Sequence, residues 1–151
     1  MQCYAVRPEF YQFLLIPKQT PESVASFLKS KLSRQAGDGP EKSEFAIESK
    51  KAGHIIGTIR LGGNNAKHGS SALGFALDSN FQGKGFMTEA VHALINYGFG
   101  KLSLRQIWAT ADIENTQSWR LMERVGMYRK SKVRMGRNVR SNWRESYVYA
   151  V

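Results

Sequence analysis

At 151 residues, with 42% hydrophobic and 23% charged side chains, the chain has the size and make-up of one globular domain spanning 1–151. No window approaches the roughly 18 consecutive apolar residues of a membrane span, and the opening Met1 to Pro8 lacks the basic-then-apolar layout of a signal peptide. A formal net charge of +10 leaves room for attraction to a polyanion, and the lone Cys3 excludes an internal disulfide, in keeping with a reducing cytoplasm.

Taken in chain order, the first clear pattern is polar–apolar alternation over Glu44 to Glu48, repeated over Thr58 to Leu61. The linker Lys50-Lys51-Ala52-Gly53 between them reads as a hairpin turn. The Gly- and Pro-containing stretch Gln35 to Pro40 before this hairpin reads as a surface loop. Leu73-Gly74-Phe75-Ala76-Leu77 is an unbroken apolar run suited to a buried strand. From Thr88 the residues Val91, Leu94, Ile95 and Phe99 recur at helical spacing, with Gly98 and Gly100 as the expected stop. Gln106 to Ala111 is a strand candidate. A short helix from about Thr116 should bury Trp119, Met122 and Val125 and end at Gly126, and Ser146 to Val151 closes as a strand. Two strand–helix–strand passages plus a meander predict a mixed α/β or α+β sheet, mostly antiparallel, with helices on its faces. The basic residues concentrate late: Arg129, Lys130, Lys132, Arg134, Arg137 and Arg140 lie between Met127 and Trp143 with no acid among them. That run is either a solvated face or a surface for a polyanion such as a phosphorylated cofactor or RNA.

The chemistry concentrates in Phe81-Gln82-Gly83-Lys84-Gly85-Phe86-Met87-Thr88. Two glycines flank a lysine between a strand and a helix, where backbone amides can approach a ligand closely and the helix dipole favours an anion. A Walker loop would need Ser or Thr after Lys84, which is followed by Gly85. A dinucleotide fingerprint would need Gly where Thr88 stands. Both are excluded.

What remains, Gln82-x-x-Gly85-x-Met87, resembles the Gln/Arg-x-x-Gly-x-Gly/Ala loop of the GNAT superfamily of acetyl-CoA-dependent N-acetyltransferases. Asn115-Thr116-Gln117-Ser118, running on to Gly126-Met127, is similar to the Asn-x-x-Ser … Gly-Phe segment of its ribosomal-protein N-terminal acetyltransferase branch. The ending Trp143 to Tyr149, with an aromatic, then Glu145, then a tyrosine-rich strand, is similar to that branch's close. The resemblance runs from about Glu9 to Val151 and is strongest from Gly57 onward. One departure stands out. Glu9 to Leu14 would fall on the family's first helix, so its first strand is abbreviated to Met1 to Val6 or missing. A sheet one strand short offers an edge for a homodimer.

The resemblance implies a single acetyltransferase domain using acetyl-CoA, without a metal, on an amine acceptor. Gln82, Gly83, Lys84, Gly85, Phe86, Met87 and Thr88 would cradle the pyrophosphate, Thr88 either bonding a phosphate oxygen or capping the helix, and Phe75, Ala76 and Leu77 would pair with the pantetheine arm. Asn115 would hold the pantetheine or acetyl end, or simply cap its helix. Ser118 would protonate the departing thiolate as a catalytic group or point to solvent, with Tyr128 a weaker candidate for that role. Ala72 to Leu77 carries no carboxylate and Asp78 lies at the strand end; Asp112, Glu114 and Glu89 are candidate bases for the incoming amine, directly or through water. His54, His68 and His92 are read as structural, since no pair has metal-ligand spacing. Two other readings stand beside this one: a non-catalytic basic module binding RNA or the ribosome, and acetylation of an aminoacyl-tRNA amine.

Overall fold

The computed structural model describes residues 5, 12–13, 19–34, 43–62, 69–137 and 143–151, with side chains except at 31–34, 43 and 135–137. Helix α1 (Pro21–Arg34) precedes strands β1 (Ser43–Ser49), β2 (His54–Gly62) and β3 (Ser70–Leu77). A single 3-10 turn, Ser79–Phe81, leads into helix α2 (Phe86–Gly100), followed by β4 (Gln106–Asp112), helix α3 (Thr116–Arg124), β5 (Tyr128–Arg137) and β6 (Trp143–Ala150). The strands form one sheet in the order β1-β2-β3-β4-β6-β5. Every neighbouring pair is antiparallel except β3 and β4, as the sequence predicts for a mixed, mostly antiparallel sheet.

Helix α1 starts where local chemistry dictates. The Thr20 and Ser23 hydroxyls each accept from the other's backbone N–H, at 3.3 and 2.9 Å, and Pro21 occupies the first position, where no N–H is needed. The Thr20 hydroxyl, and then its own backbone N–H, hold the Glu22 carboxyl below the usual range. Both alternatives for the N-terminus, a strand at 1–6 and a helix at 9–14, lie almost wholly outside the described residues. Within the first, Ala5 is helical and buried. Among the described strands, β1 and β5 are the two edges of the sheet.

The parallel pairing of β3 with β4 is short. It joins Ser70 to Gln106, Ser71 to Ile107 and Ala72 to Trp108, then ceases. Beyond that point β3 stays paired to β2 as far as Leu77, and β4 to β6 as far as Asp112. The two halves of the sheet therefore separate, leaving Phe75 to Leu77 without a strand partner on the β4 side.

One apolar core spans both halves. Met87, Val91, Leu94 and Ile95 of α2 pack with Ile59 and Leu61 of β2, Leu73 of β3, and Ile107, Ala109 and Ala111 of β4. Leu121, Met122, Val125, Met127 and Tyr149 complete it. Gly98 does not stop α2, which runs two residues further. It lies buried inside the helix, where a Cβ would come within 2.8 Å of Ile107 Cδ1 and 3.1 Å of Leu61 Cδ1. The missing side chain lets helix and sheet approach. Gly98→Leu is expected to lower stability by about 1–3 kcal/mol through overpacking, read as a lower urea midpoint at unchanged slope.

Helix α3 ends as its sequence predicts. Gly126 has φ +86°, its N–H donates to the Glu123 carbonyl (3.1 Å), and the Met127 N–H donates to the Met122 carbonyl (3.0 Å). Both methionines are buried, which completes a Schellman stop with its hydrophobic contact.

Strand β5 occupies most of the basic run, a stretch whose sequence suggests only a charged face. Arg129 to Arg134 contains one apolar residue, Val133, so no alternation marks it as a strand. A sheet edge tolerates that composition, because charged side chains discourage pairing with a second chain. Lys132 is paired with Glu145 at 2.8 Å, which holds that carboxyl below its usual range.

Candidate active site

Where the two halves of the sheet separate, a cleft of about 770 Å³ opens. Its walls come from the end of β3 (Phe75, Ala76, Leu77), the turn and first residues of α2, and the start and exposed face of α3. The β3–α2 connection is built by its glycines. Gly83 and Gly85 have φ +71° and +83°, left-handed conformations that strain any residue with a Cβ. Gly85 is the N-cap of α2, so the helix begins at Phe86 with no side chain over its end.

The amides of this turn remain available. Among the described residues, no protein acceptor meets the backbone N–H groups from Gly83 to Thr88; Glu89 is the first to donate back, to the Gly85 carbonyl at 3.0 Å. A run of orphan donors at the positive end of a helix is a site for an anion. Gly83, Gly85, Phe86, Met87 and Thr88 all line the cleft.

The surroundings brace this turn. Asp78 accepts from the Asn80 N–H (3.0 Å) and starts the 3-10 turn, while Gln82 Nε2 donates to the Leu77 carbonyl (3.3 Å). Phe81 stacks edge-on against Phe86 (6.0 Å) and His54 (5.6 Å). The Met87 side chain, larger than the Gly or Ala of the resembled loop, turns into the core and is 7% exposed. Lys84 is absent from the cleft lining. Its Nζ donates to the Asn80 carbonyl at 2.7 Å and sits 5.5 Å from the Phe81 ring centroid.

Asn115 and Ser118 reach the same cleft from its other wall. The Asn115 side chain caps α3 by accepting from the Ser118 N–H at 3.2 Å, so the capping role holds whatever else it does. Ser118 is half-buried and lines the cleft rather than standing in open solvent. Trp119 faces the sheet, its indole N–H donating to the Ile113 carbonyl (3.2 Å) and its ring edge-on to Tyr147. Beneath it, the fully buried Tyr149 donates to Glu123 Oε1 at 2.7 Å and accepts from Arg129 Nε at 3.2 Å. Burial first, and the Glu123 acceptor second, push this phenol above its ordinary range. The bond to Tyr149 pushes Arg129 upward.

The candidate bases are not equally placed. Glu89 is exposed and outside the cleft lining. Asp112 is held by Arg144, whose Nε lies 2.9 Å from its Oδ2, and its other oxygen accepts from the Glu114 N–H at 2.9 Å. Asp78 and Glu114 do line the cleft, and Glu114 keeps its side chain 76% exposed. Tyr128 lies elsewhere, with Lys130 Nζ over its ring at 4.6 Å. Arg120 and Arg124 are among the cleft residues that sequence reasoning does not single out; their one-turn spacing on the helix that carries Ser118 is the available signal.

Comparison with known proteins identifies the family and the fold. An uncharacterized N-acetyltransferase, YnaD of Bacillus subtilis (strain 168), is 29% identical over 140 residues, covering 90% of this chain and 79% of its own. In fold the chain matches the ribosomal-protein-S5-alanine acetyltransferase of Vibrio fischeri, with a TM-score of 0.81 at 21% identity over 99% of this chain and 84% of that one. It also matches the spermidine N-acetyltransferase of Vibrio cholerae solved with CoA and spermine, with a TM-score of 0.80 at 16% identity over 99% and 86%. Residues 2–128 match the family model of the acetyltransferase (GNAT) domain. With that match over most of its length, a six-stranded sheet that divides between its two parallel strands, and unpartnered amides at the opening, the chain belongs to the GNAT N-acetyltransferases.

Proposed function

We propose that the chain transfers the acetyl group of acetyl-CoA to a primary amine by direct attack in a ternary complex. The observation that carries this reading is the run of unpartnered N–H groups from Gly83 to Thr88, at a left-handed glycine turn facing the cleft. Such donors suit a diphosphate. The partnerless side of Phe75, Ala76 and Leu77 suits an extended arm carrying amide groups, added as a further strand would be. Acetyl-CoA supplies the activated thioester. The chain's own contribution is orientation of two bound reactants, with Asn115 and Ser118 on the α3 wall of the cleft.

The amine must arrive, or become, uncharged before it attacks the carbonyl carbon. As the new C–N bond forms the C–S bond breaks, and the proton lost by the amine balances the one gained by the thiolate. Of the carboxylates, Glu114 is placed to take the amine proton through water: it lines the cleft, whereas Asp112 is committed to Arg144. Ser118 donates to the leaving sulfur. The acceptor is a protein N-terminus or a small amine, two classes that the fold neighbours named above act on between them.

The competing RNA-binding reading has less support. Lys132 and Arg129 of the basic run are engaged by Glu145 and Glu123, which reduces the field that edge presents. A cytoplasmic setting fits the single cysteine, and the edge strand β1, with Phe45 44% exposed, fits a homodimer contact.

Titration calorimetry is expected to show acetyl-CoA binding in the micromolar range. Incubation with a panel of amines, including an alanine-starting peptide and a polyamine, should release free CoA with one class and not the other. Absence of CoA binding would end the acetyltransferase reading. Binding without thiol release from any amine, alongside salt-dependent RNA affinity, would favour the RNA module.

A further inference from the structure

Two guanidinium groups stand on the cleft wall opposite the glycine turn. Arg120 and Arg124 are one helical turn apart on α3, both exposed and both lining the cleft. Among the described residues neither has a carboxylate partner. Arg120 is within 5.5 Å of the neighbouring Trp119 ring, and no hydrogen bond or ion pair to a described residue holds Arg124. The other arginines around this helix are committed: Arg129 to Glu123 and Tyr149, Arg144 to Asp112. A basic pair left uncommitted beside a run of amide donors makes the cleft doubly suited to negative charge.

We infer that Arg120 and Arg124 form a second anion subsite that takes the ribose 3′-phosphate of CoA, so that the enzyme discriminates the phosphorylated carrier from its dephosphorylated form. The inference rests on the acetyl-CoA reading above. The order of residues along α3 sets the direction. Asn115 and Ser118 mark the thioester end, and Arg124 lies about 9 Å further along the helix axis from Ser118. A carrier whose thioester end meets Ser118, and whose diphosphate meets Gly83 to Thr88, leaves its terminal phosphate for the outer part of the same wall. Arginine suits that group, because its planar fork presents two parallel N–H donors to phosphate oxygens. Arg124 also meets the negative end of the α3 dipole. That role asks nothing of Arg120 and cannot explain why both line the cleft.

The test uses calorimetry with CoA and with 3′-dephospho-CoA, on the wild-type chain and on the Arg120→Gln/Arg124→Gln variant. Wild type should bind CoA about ten- to a hundredfold more tightly than dephospho-CoA, the range for charge-assisted hydrogen bonds to phosphate. The double variant should bind both ligands equally, at the affinity wild type shows for dephospho-CoA. Unchanged affinity for dephospho-CoA confirms in the same measurement that the variant is folded. Equal binding of the two ligands by wild type overturns the subsite while leaving the carrier reading intact, and so does discrimination that survives in the double variant. If wild type binds neither ligand, the carrier reading fails and the subsite fails with it.

Discussion

Replacing Gly85 with aspartate is expected to weaken CoA binding at least hundredfold, a loss of about 2.7 kcal/mol or more, with little change in melting temperature. Gly85 holds φ +83° at the N-cap of α2, and a Cβ built there meets no protein atom within 4 Å. The new side chain therefore clashes with nothing in the free protein; it projects into the approach of the ligand. The left-handed conformation costs a residue with a Cβ about 1–2 kcal/mol. Aspartate offsets part of this, because it tolerates the left-handed region better than most residues and its charge meets the positive end of the α2 dipole. Fold stability and binding thus separate: the first nearly balances, and the second suffers both bulk and like charge against a diphosphate. Gly85→Asn divides those causes, since asparagine tolerates the same backbone but carries no charge. Calorimetry on the three proteins should rank wild type, Asn and Asp in falling affinity. Aspartate binding within tenfold of wild type would show that the turn does not hold an anion.

Arg144→Met should lower folding stability by about 2–3 kcal/mol, near the lower end for removing one partner of a buried ion pair. Arg144 and Asp112 are 20% and 8% exposed at their side chains, with N–O contact at 2.9 Å. The same guanidinium donates to the Gln12 carbonyl at 3.2 Å, reaches Glu114 at 4.0 Å, and lies 5.5 Å from the Phe13 ring. Without it, Asp112 keeps only the Glu114 N–H as partner among these contacts, a bond that limits the loss. Because Gln12, Phe13 and Glu114 all line the cleft, KM for the amine should rise while CoA affinity holds. Urea unfolding of Arg144→Met, Asp112→Asn and the double variant measures the coupling. Additive losses would show that the pair contributes nothing of its own.

The sequence was most legible where local chemistry alone decides structure. Gly126 stands where the backbone turns left-handed and ends α3 as the pattern predicts, whereas α2 begins at Phe86 with Gly85 as its N-cap, two residues before the Thr88 start that the apolar spacing suggests. Asn115 caps by the chemistry its side chain carries. Legibility failed where a neighbour distant in sequence sets the outcome. β5 is held by pairing with β6 and shows no alternation of its own. Gly98 reads as a helix stop until Ile107 and Leu61 are seen pressed against it. Helix α1 escaped because its box uses Ser23 where the usual pattern has Glu or Gln. In the cleft, the glycine turn was readable. The ranking of the acids was not, because the commitment of Asp112 to Arg144 joins two strands that lie far apart in sequence.

The bare backbone at Gly98 sets a mechanical constraint on the far end of its helix. About 18 Å of α2 separates it from Phe86, so the helix acts as a lever seated against the sheet at one end and presenting its donors at the other. Any bulk that lifts the seat swings the tip, and a few degrees of tilt there moves the amides by about an ångström, enough to spoil hydrogen bonds of ordinary length. A residue that touches no ligand would then govern how well one is gripped.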